Sequence, residues 1–305
     1  MREVLVETLI SQADDSNFVF LTGDLGFDAL EPLQERLGPR FINAGVAEQN
    51  MVSVAAGLAR EGMKPWVYSI GPFLFSRAAE QIRNDVGLNN TPVCLVANGA
   101  GLLYGVQGPS HFSVDDLGFL STVPNLETFT PAFDSDVEQI VARQFSQPRP
   151  TYLRLGRCES PEFPDSASDS SNIRRILQGK LGILLCFGTV FSDYLGFLQQ
   201  RPEAQRPDVW VATKVPKSFS EINEDFVEAL TNSPYTLVVE EHLEPGGFGM
   251  NFSHVLRQSD TIVSRSIDCV GLKSSVLTSY GSQSFLKQSH GLGLKSVMSR
   301  FGIES

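Results

Sequence analysis

Basic residues, cysteine and histidine are scarce in this chain of 305 residues, as are long apolar runs. Lys and Arg number 24 against 35 Asp and Glu, giving a formal net charge of -11 at pH 7. That balance argues against nucleic acid or an anionic membrane as a general partner, because both require a basic face. Cys94, Cys158, Cys186 and Cys269 are too widely spaced for a metal cluster or a disulfide framework, and Cys94 and Cys186 sit inside apolar stretches. A reducing cytoplasm is the expected setting. No apolar run approaches membrane-spanning length, and Met1 to Ile10 mixes charged with apolar residues without a signal-peptide core, so a soluble protein is expected.

What is present suffices for two cores. Hydrophobic residues make up 42% of the chain, including 21 Phe, and the length allows two ordinary α/β domains. Residues 4–10 read as a helix and Asn17 to Leu21 as a strand running into the turn Thr22-Gly23-Asp24. Pro65 to Ile70 reads as a strand, followed by a helix over Phe73 to Arg83 with Leu74, Ala78, Ile82 and Val86 as its buried stripe. Pro92 to Ala97 is continuously apolar, the pattern of a parallel strand covered on both faces. A strand from Val123 to Pro131, a helix from Asp134 to Phe145 and a strand from Thr151 complete a first domain over 1–157. Pro, Ser and Asp dominate the next stretch, a linker over 158–174. Leu181 to Gly188, Val209 to Ala212 and Tyr235 to His242 then supply strands of a smaller second α/β domain over 175–305. Apolar strand, Gly-containing turn, helix, repeated, predicts doubly wound sheets in both.

The stretch from Phe41 to Met51 organises the rest. Phe41 and Ile42 end an apolar run, Asn43 to Gly45 turn the chain, and Val46, Met51, Ala55 and Leu58 recur on one helical face. Glu48 falls in the first turn of that helix, where the dipole and unpaired backbone N–H groups favour a carboxylate. Ala55, Ala56, Gly57 and Ala59 make the helix thin, which suits a subunit interface. Downstream, the glycine-rich loop Asn98 to His111 follows an apolar strand, where ligands of doubly wound folds bind. A histidine in a Gly-Pro loop, one of only four in the chain, is a candidate for proton transfer.

These residues carry a family resemblance. Asn-x-Gly-Val-Ala-Glu-Gln-Asn-Met, with Ala-Ala-Gly-Leu-Ala after it, resembles the pyrimidine-binding domain of the transketolase and deoxyxylulose-phosphate synthase family, whose cofactor is thiamine diphosphate. The resemblance implies that Glu48 bonds N1′ of the cofactor's aminopyrimidine and stabilises its imino tautomer. It implies that Phe73 stacks on that ring, with Phe75 and Tyr68 behind it, and that Asp24 lies near the cofactor. Gly108-Pro109-Ser110-His111 is similar to the Gly-Pro-Thr-His of transketolases, which places His111 at the donor's oxygen atoms. Arg157 and Arg2 match arginines that take substrate phosphate, with Arg154 the weaker candidate. Glu240-Glu241-His242 with Gly246-Gly247-Phe248-Gly249 resembles a structural segment of the transketolase C-terminal domain, so His242 is not assigned to catalysis.

Two departures and one absence qualify the resemblance. Transketolases have an aspartate at Gln107 and a histidine at Gly99, both facing the sugar; the neutral Gln107 amide cannot act as a base. The Gly-Asp-Gly that holds diphosphate and Mg²⁺ is missing, since Gly23-Asp24 is followed by Leu25. The expectation is a split enzyme: this chain binds the pyrimidine, a diphosphate-binding partner subunit holds the Mg²⁺, and the active site forms between them in an α2β2 heterotetramer. The reaction implied is transfer of a two-carbon ketol unit from a ketose to an acceptor. The alternatives are acyl transfer from a 2-oxoacid such as pyruvate, as in the decarboxylating β subunits of 2-oxoacid dehydrogenases, or a non-catalytic homologue that keeps the fold.

Overall fold

In the computed structural model, which describes residues 1–158, 172–259 and 267–304, the chain forms two sheets. The first contains β1 (Phe18–Thr22), β2 (Phe41–Asn43), β3 (Lys64–Ile70), β4 (Cys94–Asn98), β5 (Glu127–Phe129) and β6 (Thr151–Leu155). All pairings are parallel, in the order β2-β1-β3-β4-β6-β5. From β1 the chain goes outward to β2, then returns to place β3 on the opposite side. The strand order therefore reverses at β1 and β3, and a crevice opens outside their carboxyl ends.

Every residue of β1, β4 and β6 is buried, as continuous apolar runs require when helices cover both faces. Helices Arg2–Ser11, Glu31–Leu37 and Asp134–Ser146 cover one face, with Leu5, Leu9, Leu33, Val137 and Val141 packed against Phe18, Phe20 and Trp66. Helix Glu48–Arg60 and the segment after β3 cover the other, where Met51, Val52, Ala55, Leu74 and Ile82 share a cluster with Val67 and Leu95. The expected stripe Leu74, Ala78, Ile82 and Val86 is fully buried, although its helix is interrupted after Arg77 and widens into a π-helical turn over Ile82–Leu88.

Val46 departs from expectation: it is 71% exposed. The helix starts only at Glu48, so Val46 lies outside its periodicity, and the buried face is Glu48, Met51, Val52, Ala55, Ala56 and Ala59. The small residues Ala55, Ala56 and Ala59 bring this helix close to its own sheet, leaving Val54 and Gly57 exposed.

The second sheet contains β7 (Ile173–Leu177), β8 (Ile183–Phe187), β9 (Asp208–Ala212), β10 (Thr236–Leu243) and β11 (Ile267–Leu272), in the order β11-β10-β8-β9-β7. Only β7 is antiparallel to its neighbour. It begins inside the stretch expected as linker, of which residues 159–171 lie outside the described residues. Arg174 and Arg175 interrupt its apolar pattern, as an edge strand permits.

The two sheets are joined by backbone. Thr130 donates to the Thr213 carbonyl at 2.7 Å, Val215 to Thr128 at 3.0 Å, and Leu243 to Val114 at 2.7 Å. Leu102, Phe112 and Val114, from the loop after β4 and the residues following it, are buried in the same cluster as Leu184, Cys186, Leu237 and Val239 of the second sheet. The glycine-rich loop is thus seated on the second domain's core.

Candidate active site

Asn43 fixes the turn that delivers Glu48. Its side-chain oxygen accepts from the backbone N–H groups of Asp24 at 3.1 Å and Gly45 at 2.9 Å, and its Nδ2 donates to Asp24 Oδ1 at 3.0 Å. This cross-link ties the end of β1 to the end of β2, and Glu48 follows as the first residue of its helix. A Cβ built on Gly23 would lie 3.9 Å from Glu48 Oε1, which places the carboxylate at the reversal of strand order. The Glu48 side chain is 2% exposed. It forms part of the wall of a 510 Å³ cavity with Val46, Ala47, Gln49, Asn50 and Arg77.

Arg77 Nη1 donates to both Glu48 oxygens, at 3.0 and 3.1 Å, and the Ser69 hydroxyl lies 3.5 Å from Oε1. The Arg77 guanidinium sits over the Phe73 ring at 4.3 Å. Phe73 in turn meets the His111 ring edge to face at 5.0 Å, and His111 Nδ1 is 3.0 Å from the Ser110 hydroxyl. Carboxylate, guanidinium, benzene ring and imidazole therefore form one continuous line. Sequence patterns point to three of these residues and miss Arg77. Its signal was its spacing: four residues after Phe73 on a helical turn is the same face.

Phe75, expected beside the cofactor with Phe73, lies on a different side of the segment. Two helical positions from Phe73, it points to the opposite side and is buried in the apolar cluster with Leu74 and Ala78. Tyr68 is likewise buried, on the other face of the sheet beside Phe20. Asp24 is exposed, with its carboxylate engaged in the Asn43 turn. Gln107 is exposed on the loop four residues before His111. Arg2 stands at the start of the first helix, where its positive charge acts on the buried phenols of Tyr68 and Tyr104; the Tyr104 ring lies 6.4 Å from His111. Arg157 lines a separate 370 Å³ cleft between the domains with Val106, Asp193, Gln283 and Lys287.

Gly99 has a structural reason. Its φ is +92°, and a Cβ there would collide with the Tyr104 ring, whose hydroxyl accepts from Asn98 Nδ2. Tyr104 fills the space a larger residue at position 99 would need.

Behind the loop lies a buried polar network that spans both domains. Asp116, fully buried, pairs with Arg154 Nε at 3.0 Å and accepts from the hydroxyls of Ser113 at 2.8 Å and Tyr152 at 3.1 Å. Arg154 Nη2 also donates to the Glu241 carbonyl at 3.0 Å, so its guanidinium is held inside the network between the domains. Glu241 Oε1 accepts from the Leu102 N–H at 2.6 Å and from Gln283 Nε2 at 2.9 Å. His242, fully buried, has its Nδ1 2.7 Å from the Leu243 carbonyl, and its Nε2 accepts from Leu117 N–H at 3.2 Å. Burial pushes its pKa down to about 4, so its 3.5 Å approach to Asp116 is not an ion pair at neutral pH. Glu240 accepts from the N–H groups of Phe248 and Gly249, and burial pushes its pKa up to about 7 despite them.

A parallel sheet with a buried glutamate at its reversal point, linked through Arg77 to an aromatic ring and a loop histidine, is an α/β domain with its candidate site at the strand-order reversal. Residues 2–161 match the family described as transketolase, pyrimidine binding domain, and the chain belongs to it. A subunit of the apulose-4-phosphate transketolase of Actinobacillus succinogenes is 26% identical over 302 residues, covering 98% of this chain and 96% of that one. The 1-deoxy-D-xylulose-5-phosphate synthase of Burkholderia ambifaria is 30% identical over 315 residues; the match covers 98% of this chain but 47% of the synthase. The fold matches a solved split-gene transketolase, described as an inactive β4 tetramer, with a TM-score of 0.81, 26% identity and coverage of 99% and 96%. Transketolase from Campylobacter jejuni shares the fold at a TM-score of 0.70 and 16% identity over 46% of its length.

Proposed function

We propose that this chain is the pyrimidine-binding subunit of a two-component, thiamine-diphosphate-dependent transketolase-like enzyme that moves a two-carbon ketol unit from a donor to an acceptor. The observation that carries the reading is Glu48: a carboxylate held at the strand-order reversal, almost wholly removed from water, in the wall of a cavity it shares with Arg77, whose guanidinium leads on to Phe73 and His111. A buried carboxylate beside an aromatic face fits an aminopyrimidine, which offers a hydrogen-bonding edge and a flat surface. When bound, thiamine diphosphate supplies the nucleophilic carbon that takes up and releases the two-carbon unit.

The protein's part is to hold, orient and move protons. Glu48 hydrogen-bonds the pyrimidine N1′ edge and Phe73 stacks on the ring. His111 exchanges a proton with a donor oxygen, Gln107 offers a neutral amide to the substrate, and Arg157 and Arg2 take an anionic substrate group. A partner subunit holds the diphosphate and Mg²⁺ in an α2β2 assembly, and the two domains are the first over 1–157 and a second that begins with β7 at Ile173, two residues before the expected 175. Two relationships support the two-component reading: near-complete coverage of a single transketolase subunit, and coverage of about half of the single-chain synthases. The cytoplasmic setting expected from the dispersed cysteines belongs to the same proposal. Acyl transfer from a 2-oxoacid is the second reading, favoured by Tyr104 filling the space beside Gly99.

Calorimetry with thiamine diphosphate and Mg²⁺, on this chain alone and on the complex isolated with its partner, tests the division of labour. Binding to the complex only, followed by turnover of ketose phosphates in preference to pyruvate, is the expected result. Tight binding by the isolated chain, or none by the complex, overturns it.

A further inference from the structure

We propose that Arg77 is a displaceable stand-in for the aminopyrimidine ring: its guanidinium occupies the site formed by Glu48 and Phe73, and it must leave before the ring can enter. The inference rests on the reading of Glu48 given above.

The geometry supports it in three ways. A guanidinium is planar, cationic and edged with N–H donors, so it meets the same two demands as the ring. It satisfies the carboxylate through Nη1 at 3.0 and 3.1 Å, and it covers the Phe73 face at 4.3 Å. Arg77 Nη1 engages both Glu48 oxygens and the guanidinium covers one Phe73 face, so a ring that uses that face and a Glu48 oxygen competes with it directly. The asymmetry of burial then shows which partner moves. Glu48 is 2% exposed and fixed by its helix, whereas the Arg77 side chain is 47% exposed and borders the 510 Å³ cavity. The guanidinium can swing outward without disturbing the core. Arg77 is also the last residue of its helical segment before the interruption at Ala78.

The device has a physical purpose. A buried carboxylate left without a cation is strongly destabilising, and Ser69 at 3.5 Å compensates weakly. Arg77 keeps Glu48 paired until a ligand replaces it. The consequence is that cofactor affinity is reduced by the fraction of molecules in which Arg77 is in place.

The test is calorimetric binding of thiamine diphosphate with Mg²⁺ to the complex with its partner subunit, comparing wild type with Arg77→Met, Arg77→Lys and Glu48→Gln. Arg77→Met should bind roughly two- to fivefold more tightly, the range set by removing one half-exposed ion pair. Arg77→Lys keeps the charge but not the plane, and it should fall between wild type and Arg77→Met; it also serves if the methionine variant does not assemble. Glu48→Gln should bind more weakly. Unchanged or weaker binding by the Arg77 variants, alongside weakened Glu48→Gln, overturns the stand-in and leaves the Glu48 reading intact. If Glu48→Gln binds as wild type does, the Glu48 reading itself fails.

Discussion

Glu241, near the end of β10 in the second sheet, accepts a hydrogen bond at 2.6 Å from the backbone N–H of Leu102, which lies nine residues before His111 in the first domain's loop. The same carboxylate takes the Gln283 amide at 2.9 Å. One acidic side chain thus ties the His111 loop to two elements of the other domain. Glu241→Ala leaves the buried Leu102 N–H unpaired, and the expected cost is about 1–3 kcal/mol. Denaturant unfolding should show that loss, and the assembled enzyme should lose turnover with its cofactor affinity retained.

Glu48→Gln keeps the size of the side chain and removes its charge. The subunit should fold, pair with its partner and show unchanged circular dichroism, while turnover falls at least about a hundredfold, the scale of a lost acid–base group. Turnover near the wild-type rate would sink the mechanism.

Asp116→Asn tests the buried network. It removes the counter-charge of Arg154 while three other groups, Ser113, Tyr152 and the Leu117–His242 contact, crowd the same place. Breaking a buried pair on one side costs about 3–5 kcal/mol. A urea midpoint within error of wild type would show that the network adds nothing to stability.

The pH dependence follows from Glu240 and His242, whose effects oppose each other. Glu240 has a folded pKa of about 7 against an ordinary 4.5, so its contribution is full below pH 4.5 and lost as pH rises through about 7. His242 has a folded pKa of about 4 against an ordinary 6.5, so its contribution is full above pH 6.5 and lost as pH falls through about 4. Between about 4.5 and 6.5 the two slopes offset one another. Glu240→Gln should unmask the histidine: relative to wild type, the variant's urea midpoint rises with pH across that window. Parallel profiles for the two proteins would show that Glu240 does not titrate there.

Much of the site was legible before folding was considered. Glu48 follows a turn signal at the start of an apolar-periodic helix, and His111 sits in a Gly-Pro loop after a buried strand; both features are local, so sequence carries them. Phe73 and Phe75 show the limit. Both are aromatic and two residues apart, and only the interrupted helix over 71–77 decides that Phe73 meets His111 while Phe75 joins the core. Arg77 was legible as a helix residue but not as the partner of Glu48, because 29 residues separate them.

By itself the sequence determined the alternation of strands and helices, the two cores, the position of Glu48 at a helix start and the lack of a diphosphate motif in the chain. These follow from periodicity, turn chemistry and composition, which act over a few residues. Only the tertiary structure decided that the His111 loop is seated on the second domain's core, that Arg154 and His242 are buried supports, that Tyr104 fills the space beside Gly99, and that Arg77 covers Glu48 and Phe73. Each of these joins residues far apart in the chain, so each depends on how the strands order themselves within a sheet and how the two sheets meet, which no local pattern records.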